Sequence, residues 1–350
     1  MLPWLQGRAA GAALSTRCVS FRLQRMSTFR MPLSRRAVLA LPVLAAVPAL
    51  AQADYPTKAI RIIVPFAPGG SGDITSRLIG KYIEDKTGQP FVVENKPGAN
   101  GIVGALAVKA APADGYTLML ATTSTNAANI HMYRSPGYDP EKDFQVVGVI
   151  GSSGAFLVVP ADSPYKTLND LLAYAKANSG KLNFGYFNAS SQVPAEVLGT
   201  KAGVQWQGVA YKAIGNAWND LYAGAIQFMF VDLTAGRSQV VAGKARPLAI
   251  TLPQRSPLYP DLPTLSESFP GLTTTGFLAV AVPKATPRPV QEKLNLLVNE
   301  AITLPEIHKR LTDEFALNSR PLTLEQCAAQ DRDERAKWAE YVKIARIEPQ

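Results

Sequence analysis

The sequence predicts an α/β protein with mainly parallel sheets, divided into two lobes. Short β-branched or apolar runs alternate with helical patterns through most of the chain, as strand–helix–strand units require. About 300 residues remain after an amino-terminal leader, more than one hydrophobic core usually serves. Several strands empty into glycine-rich or hydroxyl-rich loops, which puts polar groups at the carboxyl ends of the strands, where open α/β sheets hold ligands.

The elements follow in order. Residues 60–65 (IRIIVP) form a buried strand that breaks at Pro68-Gly69-Gly70-Ser71-Gly72. Asp73 then acts as the N-cap of a helix to about Lys86, with Ile74, Leu78 and Ile79 facing inward, and Thr87-Gly88 ends it. A second strand at 91–94 leads through Asn95–Gly101 into a small-residue helix at 102–110, and a third strand at 116–121 runs into Thr122–Asn126. Strands follow at 146–150 and 156–159, and the chain crosses between lobes at 156–160. Helices at 166–177, 194–202 and 216–223 then alternate with strands at 182–185, 205–210, 227–231 and 246–251. The carboxyl-terminal part is helical, at 290–303, 305–314 and 324–347.

The formal charge of +9 over 350 residues invites a nucleic-acid reading, but its distribution removes it. Residues 1–53 hold seven Arg and no acid, which leaves 29 basic against 27 acidic residues beyond them. Ser34-Arg35-Arg36, the apolar run 37–50 and Ala51-Gln52-Ala53 read as an export signal cleaved near Ala53. Met26 or Met31 is an alternative start; an organellar transit peptide and twin-arginine export are the rival readings of this segment. The two cysteines, Cys18 and Cys327, lie on opposite sides of that cleavage site, so the mature chain has no disulfide. Two histidines, His131 and His308, are too few for an ordinary zinc site, and no GxSxG, Cys/His pair or HExxH is present. Both histidines read as packed or surface groups, Trp206 and Trp218 as core, and Lys337, Lys343 and Arg346 as a solvated helix face.

The local chemistry points to an anion. In Pro65–Asp73 glycines let backbone N–H groups approach a ligand, and the following helix N-terminus adds partial positive charge without Lys or Arg. Neither a Walker loop nor GxGxxG is present, so a nucleotide is unsupported. Thr122–Asn126, Asn188-Ala189-Ser190-Ser191 and Asp232 repeat the pattern at three further strand ends. Each of these segments also has an ordinary reading as a turn, a solvated loop or a helix cap. Four such ends divided between two lobes describe a cleft.

The chain resembles the substrate-binding receptors of tripartite tricarboxylate transporters, the Bug receptors. The resemblance rests on Tyr55-Pro56, the run Ile63–Asp73 with Arg77, Glu94–Gly101, Asp114–Leu118, and Asn129 with Tyr133. It continues through Tyr211-Lys212, Arg255-Ser256-Pro257, Pro260–Thr264, Pro283 and Thr286-Pro287. It implies a two-lobed periplasmic-binding-protein fold (Venus flytrap, type II-like). Residues 54–154 and 278–350 then form lobe 1, and 155–277 form lobe 2. It also implies a monomeric periplasmic receptor, not an enzyme, that closes on a small carboxylate and delivers it to integral membrane transporter subunits. No cofactor and no metal is expected.

The candidate ligand contacts are Phe66, Ala67, Gly69, Gly70, Ser71 and Asp73, with Thr122, Thr123 and Ser124, in the first lobe. In the second they are Asn188, Ser190, Ser191 and Asp232. The departures from the family pattern cluster in the second lobe. The segment 184–196 is shorter and lacks a His, Ala213 replaces a usual Gly, and Phe277 stands for a frequent Trp; in the first lobe Ile130 stands where Pro is common. A sensory receptor serving a histidine kinase is the alternative, and an enzyme using Asp232 or Asp73 as general base is the more distant one.

Overall fold

The computed structural model describes residues 55–350, so the leader, its cleavage site and Cys18 lie outside the described residues. Two five-stranded sheets organise the chain. The first is built from β1 (Ile60–Val64), β2 (Phe91–Asn95), β3 (Thr117–Thr122) and β4 (Phe144–Ser153), with α1 (Ser71–Thr87) and α2 (Ile102–Lys109) as crossovers. Two short helices, α3 (Asn129–Met132) and α4 (Pro140–Asp143), lie between β3 and β4. The second sheet contains β5 (Ala155–Pro160), β6 (Asn183–Tyr186), β7 (Gln207–Ala210), β8 (Phe228–Asp232) and β9 (Ala245–Ile250). Its connections carry α5 (Leu168–Ala177), α6 (Ala189–Ala202), α7 (Ile214–Tyr222) and α8 (Leu233–Val241). After α9 (Leu265–Ser268) the chain returns to the first sheet as β10 (Gly276–Pro283) and ends in α10 (Arg288–Thr303), α11 (Pro305–Lys309) and α12 (Leu324–Ile344).

The strand orders are β2-β1-β3-β10-β4 and β7-β6-β8-β5-β9. In the first sheet β10 is antiparallel to both β3 and β4; in the second, β5 is antiparallel to both β8 and β9. In each sheet four strands therefore share one direction and the fourth position is filled by a reversed strand. That strand is the one that has just arrived from the other sheet. The fold is the two-lobed α/β type, and the chain crosses between the lobes just before β5 and just before β10.

Apolar strands explain the layering. β3 is buried along its whole length, as is β10 but for Gly276 and Leu278, because helices cover both faces of the sheet. Ile60, Ile62, Val64, Leu118 and Leu120 pack with Ile79 and Ile83 of α1 and Leu294, Leu297 and Val298 of α10. Ile63, Met119 and Ala121 point the other way, toward Ala105 and Val108 of α2. The second sheet buries Phe184, Phe228 and Phe230 against α6, with Trp206 edge-on to Phe228. Trp206 and Trp218 are buried, and Lys337, Lys343 and Arg346 are exposed.

Several expectations change. Helix α1 starts at Ser71 with Gly70 as N-cap, and Asp73 lies in its first turn, so Asp73 is not the cap. Thr122–Asn126 is not an open loop; Ser124–Ala128 forms a wide π-helical turn whose side chains are buried. Helix α6 begins at Ala189, five residues before Pro194, because Asn188 supplies a capping box with Ser191. The crossing lies at 153–155 rather than 156–160, since Phe156–Pro160 is already paired in the second sheet. The sequence reading did not anticipate β10, α3, α4, α8 or α9.

Candidate functional site

A cavity of about 110 Å³ lies where the carboxyl ends of β1, β3, β6 and β8 face one another between the lobes. The four polar strand ends singled out from the sequence meet here. From the first lobe Phe66, Ala67, Gly70, Ser71, Asp73, Thr122, Thr123 and Ser124 line it; from the second, Asn188, Ser190 and Asp232 do. Gly69 and Ser191 do not. Gly69 has φ +85° and turns its N–H onto Asp73 Oδ2 at 3.1 Å. Ser191 Oγ accepts the N–H groups of Phe187 and Asn188 at 3.0 and 3.1 Å and donates to the Asn188 carbonyl. Both residues shape the loops that the wall is made of.

Helix starts dominate the electrostatics. The N-cap residues of α1, α6, α7 and α8 are Gly70, Asn188, Ala213 and Asp232, and all four line the cavity. Each helix leaves first-turn N–H groups without intrahelical partners and carries a fraction of a positive charge at that end. The charged side chains in the wall are Asp73, Lys212 and Asp232. Lys212 is exposed at the rim. Burial works to raise the Asp73 pKa, but Arg77, the Gly69 N–H and Asn95 outweigh it and hold the carboxyl below the usual range. Its charge is already matched by Arg77 at 2.9 Å. Asp232 is the opposite case. Burial pushes its pKa up against the bonds from the Ala235 N–H and the Ser71 hydroxyl.

Contacts across the cleft fix its mouth and back. The Ala189 N–H donates to Ser124 Oγ at 3.2 Å and to Asn100 Oδ1 at 3.0 Å. The Thr123 hydroxyl accepts the Phe277 N–H at 3.0 Å. A side-chain carbon placed on Gly276 would lie 3.1 Å from Thr123 Oγ1 and 3.5 Å from Ser190 Oγ, so both lobes and the returning strand converge there. Thr125 and Asn126 turn away from the cavity. Asn126 Nδ2 donates to Asp331 Oδ1 at 3.1 Å, and Asp331 is paired with Arg335, which pins the wide turn to α12 from behind.

The sequence reading missed the crossing segments and the apolar wall. Thr274, Thr275 and Gly276 line the back, with Phe187, Ile214, Leu278, Leu317 and Trp338 around them. Phe277, noted as replacing a frequent Trp, also lines the cavity, and Trp338 brings an indole to it from α12. The Trp338 Nε1–H donates to the Thr275 carbonyl at 3.2 Å. The continuous apolar run of 277–282 was the available signal for β10. Nothing local marked Trp338, which lies more than 200 residues from the first cavity loops.

Comparison with known proteins now bears on this geometry. Residues 75–345 match the model of the tripartite tricarboxylate transporter family receptor, TctC. The chain belongs to this family. It is 32% identical over 296 residues to Protein BugT of Bordetella pertussis, covering 83% of this chain and 90% of that one. The Rhodopseudomonas palustris protein MatC with bound malate superposes with a TM-score of 0.78 at 29% identity, covering 82% of this chain and all of that one. R. palustris Rpa4515 with adipate superposes with a TM-score of 0.81 at 31% identity, covering 85% of this chain and all of that one. The membership agrees with the resemblance, and the solved neighbours agree with it in fold. Among the described residues no helix is long and apolar enough to cross a membrane.

Proposed function

We propose that this TctC-family chain is an exported, periplasmic receptor that closes its two lobes on a small carboxylate and delivers it to the membrane subunits of a tripartite tricarboxylate-type transporter, without chemical change. The observation that carries the reading is the convergence of four helix starts on one cavity whose wall holds no arginine. Such a wall recognises an anion through backbone N–H groups and hydroxyls. The apolar groups Phe66, Phe187, Phe277, Leu278 and Trp338 suit the hydrocarbon body between or beside the acid groups. Bound adipate and malate in the two R. palustris neighbours support the ligand class.

In this reading Gly70, Ser71 and Thr123 hold one carboxylate from the first lobe, and Ser190 and Asp232 complete it from the second. The segments 54–154 and 278–350 move against 155–277 about the crossings at Gly154 and Thr275. The mature chain acts as a monomer, with the leader removed near Ala53. Calorimetric titration of the mature chain, unfolded and refolded to strip carried ligand, tests it. Dicarboxylates, tricarboxylates, aromatic acids and acidic amino acids form the panel. Saturable one-to-one binding of one class, with the acid recovered unchanged, is the expected result. A folded sample that binds none of them, or that converts one to a product, rules the reading out.

A further inference from the structure

We propose that Asp232 shares a proton with a carboxylate of the bound acid, so that the cavity takes up its ligand anion together with one proton. The inference rests on the carboxylate-receptor reading and specifies the chemistry of its second-lobe contact. Three observations carry it.

The first is position. Asp232 ends β8, caps α8 through its Oδ1 to the Ala235 N–H at 2.9 Å, and also lines the cavity. Ser71, in the first turn of α1, lines the same cavity. An acid group held at the start of α1 therefore shares its cavity with Asp232.

The second is charge. Among the described residues Asp232 makes no ion pair, and the one cation in the cavity wall is Lys212. On α1 the groups that line the cavity with it are Ser71 and Asp73, the latter already matched by Arg77. On β5 Ala155 pairs with Asp232, and Thr274, just before β10, and Trp338 of α12 line the same cavity, none of them ionisable in the working range. Lys212, before α7, is exposed to solvent, which screens its charge, and Arg237 on α8 itself keeps its charge but donates to the Tyr259 hydroxyl rather than to Asp232. Two carboxylates close together in a poorly solvated site do not both stay ionised; they hold one proton between them. Burial of Asp232, which already disfavours its charged form, works in the same direction.

The third is an unused polar atom. Thr274 is 4% exposed, lines the cavity, and its Oγ1 has no hydrogen-bond partner. A buried hydroxyl without a partner is costly unless a ligand satisfies it. It supplies a further donor in the wall of the same cavity, for an acid with two oxygens to satisfy.

The sign follows from linkage. Binding an anion raises the Asp232 pKa further, so affinity is highest at low pH. It falls as pH rises through the interval between the free and the bound pKa, by up to about tenfold per pH unit. The experiment is calorimetric titration of the mature wild-type chain with adipate and with malate between about pH 6.5 and 9, where both probes are fully ionised. Each pH is run in two buffers of different protonation enthalpy. A carbon-13 titration of the Asp232 carboxyl, assigned by its loss in Asp232→Asn, is followed with and without the probe. The expected result is uptake of up to one proton per bound acid, affinity falling with pH, and an Asp232 titration displaced to higher pH by the probe. Binding without proton uptake, affinity that rises with pH, or an Asp232 titration indifferent to the probe overturns the proposal and leaves the receptor reading standing. Failure of both probes and of the wider acid panel to bind overturns the receptor reading itself.

Discussion

Gly69, Gly70 and Gly72 fall within four residues, and each is glycine for a different reason. Gly69 has φ +85°, a left-handed conformation, although a Cβ there would touch nothing. Gly69→Ala should therefore lower stability by about 1 kcal/mol through backbone strain alone. Gly72 has the reverse problem: its Cβ would fall 2.4 Å from Cδ2 of the buried Leu120, so substitution disturbs the packing of α1 on β3. Gly70 is extended, with φ −81° and ψ 169°, and its Cβ would meet only the Ala67 carbonyl at 3.9 Å. Any residue can take that conformation, and the space beyond it is the cavity. Gly70→Val, which puts a poor N-cap residue at the start of α1, should cost no more than about 1 kcal/mol of stability in the free protein while weakening acid binding by about tenfold or more, a loss of about 1.4 kcal/mol or more. Wild-type affinity in that variant, read by calorimetry, would remove the loop from the site. The sequence showed a glycine-rich turn before a helix; it did not show which glycine opens onto the cavity, because that depends on the direction of each Cα–Cβ vector.

At the scale of elements, what was legible was whatever one segment carries by itself. The β-branched run of β1 and the amphipathic α10 were read nearly to the residue. Helix α6 was read five residues short because Pro194 normally starts a helix or breaks one. The capping box from Asn188 to Ser191 overrides it, and those five residues bring Ser190 to the cavity wall. The cap gives a test that separates folding from recognition. Asn188 Oδ1 accepts the Ser191 N–H at 2.9 Å, so Asn188→Ala should cost about 1 kcal/mol of stability. Asn188→Asp should keep most of that stability, since Asp caps as well, yet it puts a negative charge in the anion cavity. Binding weaker in the Asp variant than in the Ala variant, with stability in the opposite order, is the expected result; parallel losses would make Asn188 purely structural. Strand β10 was missed for a different reason. Its apolar run is short, and its antiparallel place between β3 and β4 is set by partners more than 120 residues away.

The whole molecule is tied together by its last helix. Through Trp338 and Val342, α12 joins the same apolar cluster as Val193 and Val197 of α6; through Asp331 it holds the wide turn after β3, and through Trp338 the returning crossing. Cys327 lies near the start of this helix, is fully buried, and has its thiol pKa pushed up to about 11 by burial. It is also the only cysteine of the sequence after residue 53, so a thiol reagent reads one site in a chain that starts at Asp54. Below about pH 9 the folded protein should react very slowly, because the thiol is both inaccessible and protonated. The informative quantity is the effect of ligand on that slow rate. If α12 frays locally, Cys327 is exposed without opening the cleft and an acid ligand changes nothing. If α12 leaves only when the lobes come apart, ligand protects it by the full linkage term, about 2.7 kcal/mol at one hundred times the dissociation constant. That corresponds to a rate about a hundredfold lower. The packing of α12 on both lobes predicts the second outcome. Labelling at equal rates with and without a saturating acid would show instead that the carboxyl-terminal helix is dispensable to closure, and that β5 and β10 alone couple the two sheets.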